Sequence, residues 1–208
     1  HGVDDFALTP LQRLSIVGCA GMGALSYVPE MLQGELKSLP KMDELQQMAL
    51  DLFGEKADVD EELLYRISGN SGGCRPKCLL QDEEGSWIVK FRHTYDPVDM
   101  GRMEWRYNDV ARRCGIDVPD FKLIDDCYFA TKRFDVIDGV RYHVITAAAM
   151  LGVSHQVPTL DYSVLLNLTG WLTQSPKEVE QMFRRMVFNV LTKNRDDHAK
   201  NFSFIYTE

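Results

Sequence analysis

An α+β fold in two lobes, strand-rich in its first part and helical in its last, is what this sequence predicts, and three observations predict it. Cys78 to Phe91 reads as strand, polar turn, strand; FKLIDDCYFATKRFDVIDGVRYHVITA from Phe121 alternates short apolar runs with turn signals; and from Leu160 the apolar residues change to helical spacing. A strand-rich part joined to a helix-rich part suggests two lobes with a crevice between them. The expected division is a strand-rich lobe over residues 1–134 and a helical lobe over 135–208.

With 208 residues and 45% hydrophobic content, the chain can bury a sizeable core. A net charge of -8 repels phosphate backbones, so any contact with DNA needs a local basic patch or a partner. Five cysteines (Cys19, Cys74, Cys78, Cys114, Cys127) include no CxxC pair, which predicts reduced thiols rather than a disulfide or zinc framework. No apolar run approaches a membrane span and the first residues lack a signal-peptide pattern, so the expectation is a soluble, cytoplasmic protein.

Along the chain, Thr9-Pro10 before LQRL reads as an N-cap and first helical position, soon interrupted by the glycines of GCAGMGAL. Ala24 to Val28 reads as a short strand stopped by Pro29. Residues 41–56 place Met42, Leu45, Met48, Ala49, Leu52 and Phe53 at helical spacing with Gly54 as the end, a core-facing stripe. After the glycine-rich 68–80 segment and the strand pair comes a helix at 102–115, with Met103, Tyr107, Val110, Ala111 and Cys114 on one side and Gly115 as its stop. Turns fall at Asp125-Asp126 and Asp138-Gly139. In the last helix Ser175 and Glu178 make a capping box, Pro176 takes the first position, and Met182, Phe183, Met186, Val187, Val190 and Leu191 form the buried stripe.

Four features come in a telling order: a glycine-rich turn, a Lys ending an apolar strand, a Glu in the next helix, and an acid-to-Asn loop after a helical hairpin. Phosphoryl transfer from a nucleotide needs backbone amides and a cation on the phosphates, a metal-binding oxygen and a carboxylate to orient the attacking hydroxyl. Arg195-Asp196, four residues, then Asn201 match the RDxxxxN part of the protein-kinase catalytic loop, and that spacing selects Asp196 over Asp197. The bland alternative is a solvated helix end capped by Asn194.

Lys90 sits in WIVKF, where a lysine must find an anion or snorkel from an edge strand. Glu104 is placed to pair with it, although a Glu in a first helical turn is also ordinary dipole chemistry. Gly69, Gly72 and Gly73 with Arg75 and Lys77 make an anion nest or a plain hairpin turn. His198, with no second His or Cys at ligand spacing, reads as a hydrogen-bonding member of the loop.

With SGNSGGCRPK, WIVKF, the helix followed by GIDVP, KRFD and NRDDHAKN in order, the chain resembles the HipA-like serine/threonine kinases, toxin components of HipBA-type toxin–antitoxin modules. The resemblance implies a bilobal protein-kinase-like fold that binds ATP with Mg2+. It implies Lys90 on the phosphates with Glu104 as its ion-pair partner, and Gly72 and Gly73 in the phosphate loop. The backbone around Lys132 and Phe134 would be the adenine-contacting hinge, Asp196 the base and Asn201 a metal ligand, with His198 a further candidate in the same loop. Family members commonly carry a regulatory autophosphorylation serine where Asn70 aligns, and Ser71 is the candidate here. The family places a second metal-binding Asp beyond Glu208, so the expectation is a fragment or a chain completed by another, inactive by itself.

The leading function is thus a serine/threonine protein kinase acting on a protein target, with a translation component such as an aminoacyl-tRNA synthetase implied by the resemblance alone. Regulation by a helix-turn-helix antitoxin of HipB type follows from the same source, with DNA reached only through that antitoxin. The alternative is a non-catalytic module that binds such an antitoxin and takes part in operon repression. A third option is a small-molecule kinase on a similar scaffold.

Overall fold

The computed structural model of the chain describes residues 9–19, 21–31, 40–53, 75–153 and 160–207. Gly54 and the glycine-rich stretch with Gly69, Ser71, Gly72, Gly73 and Cys74 lie outside the described residues. The chain is an α+β protein that divides into two compact units, His1–Arg106 with Pro119–Arg141, and Tyr107–Val118 with Tyr142–Glu208. Among the described residues no helix is long and apolar enough to cross a membrane.

In the first unit, helix α1 (Pro10–Val17) opens on a capping box in which Thr9 and Gln12 exchange side-chain and backbone bonds. Helix α2 (Met42–Phe53) lays Leu45 against an antiparallel sheet. Its strands are β1 (Lys77–Asp82), β2 (Gly85–Lys90), β3 (Phe121–Ile124) and β4 (Tyr128–Lys132), in the order β1-β2-β4-β3. Alternation along β2 sends Trp87 and Val89 into the core with Leu45, Cys78, Tyr128 and Ala130. Lys90, one residue on, therefore takes the other face, beside its cross-strand partner Phe129.

Helix α3 spans Met100–Arg113 and begins two residues before the expected position. That shift takes Glu104 out of the first turn, so the dipole explanation for this residue falls. Of the apolar side assigned to the helix, Ala111 is buried, but Tyr107, Val110 and Cys114 are exposed. Gly115 follows with a positive φ of 75° and closes the helix, as its sequence position indicates. Both expected hairpin turns are present, with φ positive at Asp125, Asp126, Asp138 and Gly139. The second joins β5 (Val136–Ile137) to β6 (Val140–Arg141).

The strand expected at residues 24–28 does not form. Carbonyls along this glycine-rich stretch are taken by a guanidinium instead of a neighbouring strand: Arg141 donates to the oxygens of Cys19, Gly21, Gly23 and Leu25 at 2.7–3.3 Å. Nearby, the Gly23 N–H donates to Asp135, a fully buried carboxylate that Arg133 also grips through two nitrogens. Burial pushes the Asp135 carboxyl up, but the Arg133 bonds, the Gly23 N–H and the Arg133 charge outweigh it and leave the group below the usual carboxylate range.

In the second unit, β7 (His143–Thr146) pairs antiparallel with β8 (Ser203–Tyr206). Between them run α4 (Ala147–Leu151), α5 (Tyr162–Thr173) and α6 (Pro176–Leu191), capped by Thr146, Asp161 and Ser175 respectively. Ala147, Leu165, Leu168, Met182 and Phe202 make the core. The stripe assigned to α6 is overturned for most of its members: Met182 is buried, whereas Phe183, Val187, Val190 and Leu191 are exposed. The inward side instead carries Gln181, whose Oε1 accepts from the Asp117 N–H at 2.9 Å and whose Nε2 donates to the Gly115 carbonyl at 3.0 Å. Arg184 and Arg185 add bonds to the carbonyls of Cys114 and Asp117. Satisfying that loop backbone turns a polar residue inward.

Two predictions follow from close contacts in the first unit. A Cβ on Gly101 would lie 1.9 Å from the Cys127 carbonyl oxygen, which is backbone and cannot step aside. Gly101→Ala should thus destabilise by roughly 1–3 kcal/mol in denaturant unfolding, despite a helix propensity that favours Ala by about 1 kcal/mol. For Asp135, the lowered folded-state pKa means its stabilisation is present above the unfolded value near ~3.9 and is lost as pH falls through the folded value. Asp135→Ala should cost on the order of 3 kcal/mol at neutral pH and flatten the loss of stability on acidification below about pH 4, as measured by urea unfolding across pH.

Candidate functional site

Lys90 ends β2 and Glu104 lies on the second turn of α3. Lys90 Nζ stands 2.8 Å from Glu104 Oε2, with the lysine side chain 38% exposed and the glutamate 18%. The same ammonium lies 5.5 Å from the Phe129 ring centroid. Trp105, next to Glu104, packs edge-on against Phe121, which in turn contacts Phe129. An aromatic bed thus carries the helix on the sheet and holds Glu104 toward the lysine. A partly exposed pair of this kind contributes at most about 1 kcal/mol to folding. A cavity of about 300 Å3 opens beside Lys90, lined also by Asp43, Gln46, Arg92 and Tyr128. The Tyr128 hydroxyl donates to Asp43, and burial followed by that bond pushes it well above the usual phenol range.

Lys132 closes β4. Its N–H donates to the Asp120 carbonyl at 2.7 Å, and the N–H of Arg133 donates to Ser86 at 2.8 Å. The Lys132 ammonium folds back to 6.0 Å from the Trp87 ring centroid. Phe134 follows, 40% exposed.

In the second unit, the loop after α6 holds Asp196, His198 and Asn201 together. His198 Nε2 lies 3.2 Å from Asp196 Oδ1, whose side chain is 80% exposed. Asn201, on the short 3-10 turn Ala199–Asn201, donates from Nδ2 to the Asp196 carbonyl. Its Oδ1 is then the group this amide can offer to a cation. The His198 Nδ1 accepts from the Lys200 N–H at 3.3 Å, which caps the turn. Ala199 and Phe202 are buried, so the loop is pinned to the core at its far end. Among the described residues no three His, Cys, Asp or Glu side chains gather as a metal cluster.

Sequence reasoning missed the groups that hold these side chains. Asp135 stands as the last residue of KRFD, two residues from its partner Arg133, yet nothing local tells that the Gly23 amide, 112 residues away, is its other partner. Tyr162, which bonds to Asp197, and Asn189, which bonds to Tyr162 and Asn194, carry no signal at all.

Comparison with known proteins agrees with this architecture. A solved structure of Shewanella oneidensis MR-1 HipA, in a toxin–antitoxin complex with HipB and its operator DNA, superposes with a TM-score of 0.66 at 20% sequence identity, over 99% of this chain and 55% of that one. A curated Sinorhizobium fredii protein named "Putative kinase Y4dM" is 32% identical over 142 residues, 60% of this chain and 34% of the relative. The chain therefore spans about a third of that relative's length and just over half of the HipA chain. The family model described as the HipA-like C-terminal domain matches residues 69–208, two-thirds of the sequence, and the chain belongs to that family.

Proposed function

We propose that the chain carries the phosphate-binding strands and catalytic loop of an ATP-dependent serine/threonine protein kinase of HipA-like toxin type, on a bilobal protein-kinase-like fold. The observation that carries this reading is the 2.8 Å contact between Lys90 at the end of β2 and Glu104 on α3. A lysine–glutamate pair between a strand and the following helix is the device that holds an ammonium for nucleotide phosphates. Its small value to folding leaves binding as the better account of a cation at that position.

In the proposed reaction Asp196 accepts the proton of a serine or threonine hydroxyl as that oxygen attacks the γ-phosphorus. The bond to the bridging oxygen breaks and ADP leaves. His198, 3.2 Å from Asp196, orients the carboxylate. Asn201, whose amide nitrogen is already engaged, would offer its side-chain oxygen to Mg2+, a hard donor of the kind this ion takes. When bound, Mg2+ screens the phosphate charge. Because the N–H groups of Lys132 and Arg133 are engaged in the sheet, a hinge contact through an amide N–H falls to Phe134. Gly72 and Gly73 would cradle phosphates, and Ser71 would be the regulatory phosphorylation site.

Family membership supports a protein substrate, of which a translation component such as an aminoacyl-tRNA synthetase is one, and a helix-turn-helix antitoxin of HipB type through which DNA is reached. A cytoplasmic location goes with that role.

In the full-length polypeptide that carries this chain, γ-phosphate should pass from ATP to protein in the presence of Mg2+, and Asp196→Ala should reduce transfer to background. Lys90→Met should weaken ATP binding by about tenfold or more while shifting the unfolding free energy by no more than about 1 kcal/mol. Equal transfer by Asp196→Ala and wild type would sink the kinase assignment. Retention of a HipB-type partner with no nucleotide binding would select the non-catalytic repression module, and phosphorylation of a metabolite but of no protein a small-molecule kinase.

A further inference from the structure

Behind the loop runs a chain of hydrogen bonds with a single consistent direction. The Tyr162 hydroxyl, at the start of α5, donates to Asp197 Oδ2 at 2.7 Å and accepts from Asn189 Nδ2, on the last turns of α6, at 3.0 Å. Asn189 Oδ1 accepts from Asn194 Nδ2 at 3.1 Å, and Asn194 Oδ1 accepts from the N–H of Asp196 at 3.1 Å. A second tie, from the Asn194 N–H to the Asn189 carbonyl at 2.9 Å, holds the same corner.

A hydroxyl has one proton to give, and giving it to an ionised Asp197 dictates the rest. Asn189 must then present its NH2 to the tyrosine and its oxygen to Asn194, which leaves the Asn194 oxygen for the Asp196 amide. Turning either side-chain amide over would set donor against donor. The ring of Tyr162 also stands edge-on to the buried Phe202, with centroids 5.9 Å apart, so one side chain reaches both ends of the loop.

We infer that Tyr162, Asn189, Asn194 and Asp197 are a brace that positions Asp196, with Asp197 serving as a hydrogen-bond acceptor in the brace and not as a second base. The inference rests on the reading of Asp196 as the catalytic base. Burial, with a smaller contribution from the bond to Asp197, pushes the Tyr162 hydroxyl up to about 12, so it stays a donor through the physiological range. Both carboxylates belong to one loop, yet Asp197 is bound to a tyrosine while Asp196 presents an 80% exposed side chain. Holding a reacting group to within a fraction of an ångström demands support of this sort, and its loss costs about ten- to a hundredfold in rate.

The test compares Tyr162→Phe, Asp197→Ala, Asp197→Asn and Asp196→Ala in the full-length protein. Tyr162→Phe and Asp197→Ala should lower kcat about tenfold or more with KM for ATP and the unfolding midpoint nearly unchanged. Asp197→Asn keeps an acceptor oxygen without the charge, and should recover most of what Asp197→Ala loses. Independently of activity, the Asp196 amide should exchange its hydrogen about tenfold faster in Tyr162→Phe. Wild-type kcat or unchanged Asp196 exchange in Tyr162→Phe overturns the brace, as does an Asp197→Asn variant as impaired as Asp197→Ala. Activity persisting in Asp196→Ala refutes the base assignment instead, while the exchange measurement still decides whether the brace exists.

Discussion

The antiparallel pairing of β2 with β4 is the constraint on which the first unit's chemistry depends. Opposing Lys90 to Phe129 and Val89 to Ala130 decides which side chains enter the core and which face α3. A slip of one residue would exchange the faces, bury the ammonium under α2 and expose Val89. Trp87 and Val89 resist that slip because their apolar area is removed from water, at about 1.5–3 kcal/mol for each fully buried side chain of this size. The ionic contact with Glu104 is weak by comparison, so hydrophobic pairing places the lysine and the glutamate then finds it.

The same logic brings the helix to the sheet. Gly101 lets the first turn of α3 approach the Cys127 backbone more closely than any Cβ permits. Trp105 on Phe121 then sets the helix at the height where Glu104 meets Lys90. The resulting pair is held from below by aromatic packing and needs little energy of its own.

How much of this is legible in the sequence follows from how local each cause is. Strand alternation, caps and two-residue turns depend on neighbours within a few positions, and Lys90, Glu104, the capped helices and both Asp-led turns are readable on that basis. The strand at residues 24–28 is not, because the carbonyls of Cys19, Gly21, Gly23 and Leu25 leading into it are claimed by Arg141, whose bond to Gly23 spans 118 residues. Likewise the period of α6 reveals an apolar side, while Gln181 turns inward beside Met182 to satisfy the backbone near Gly115, 66 residues away. Periodicity reports hydrophobicity; it does not report which buried backbone groups need a donor. The catalytic-loop spacing singles out Asp196, but Tyr162 and Asn189 carry no mark in the sequence of what they touch.

Two adjacent carboxylates on one loop present a problem of identity that the local sequence alone resolves only through spacing. Physically, the distinction between Asp196 and Asp197 is one of partners. A carboxylate accepting a 2.7 Å bond from the half-buried Tyr162 hydroxyl has one oxygen engaged and its position tied to α5. Its neighbour keeps an exposed side chain, but its amide is held through Asn194 and its carbonyl by Asn201, so the backbone beneath it is fastened on both sides. Such a residue combines an open reacting group with a fixed mount. Because the partners that distinguish the two carboxylates include Tyr162 of α5 and Asn189 of α6, exchanging their environments would require moving those helices, not merely exchanging two aspartates.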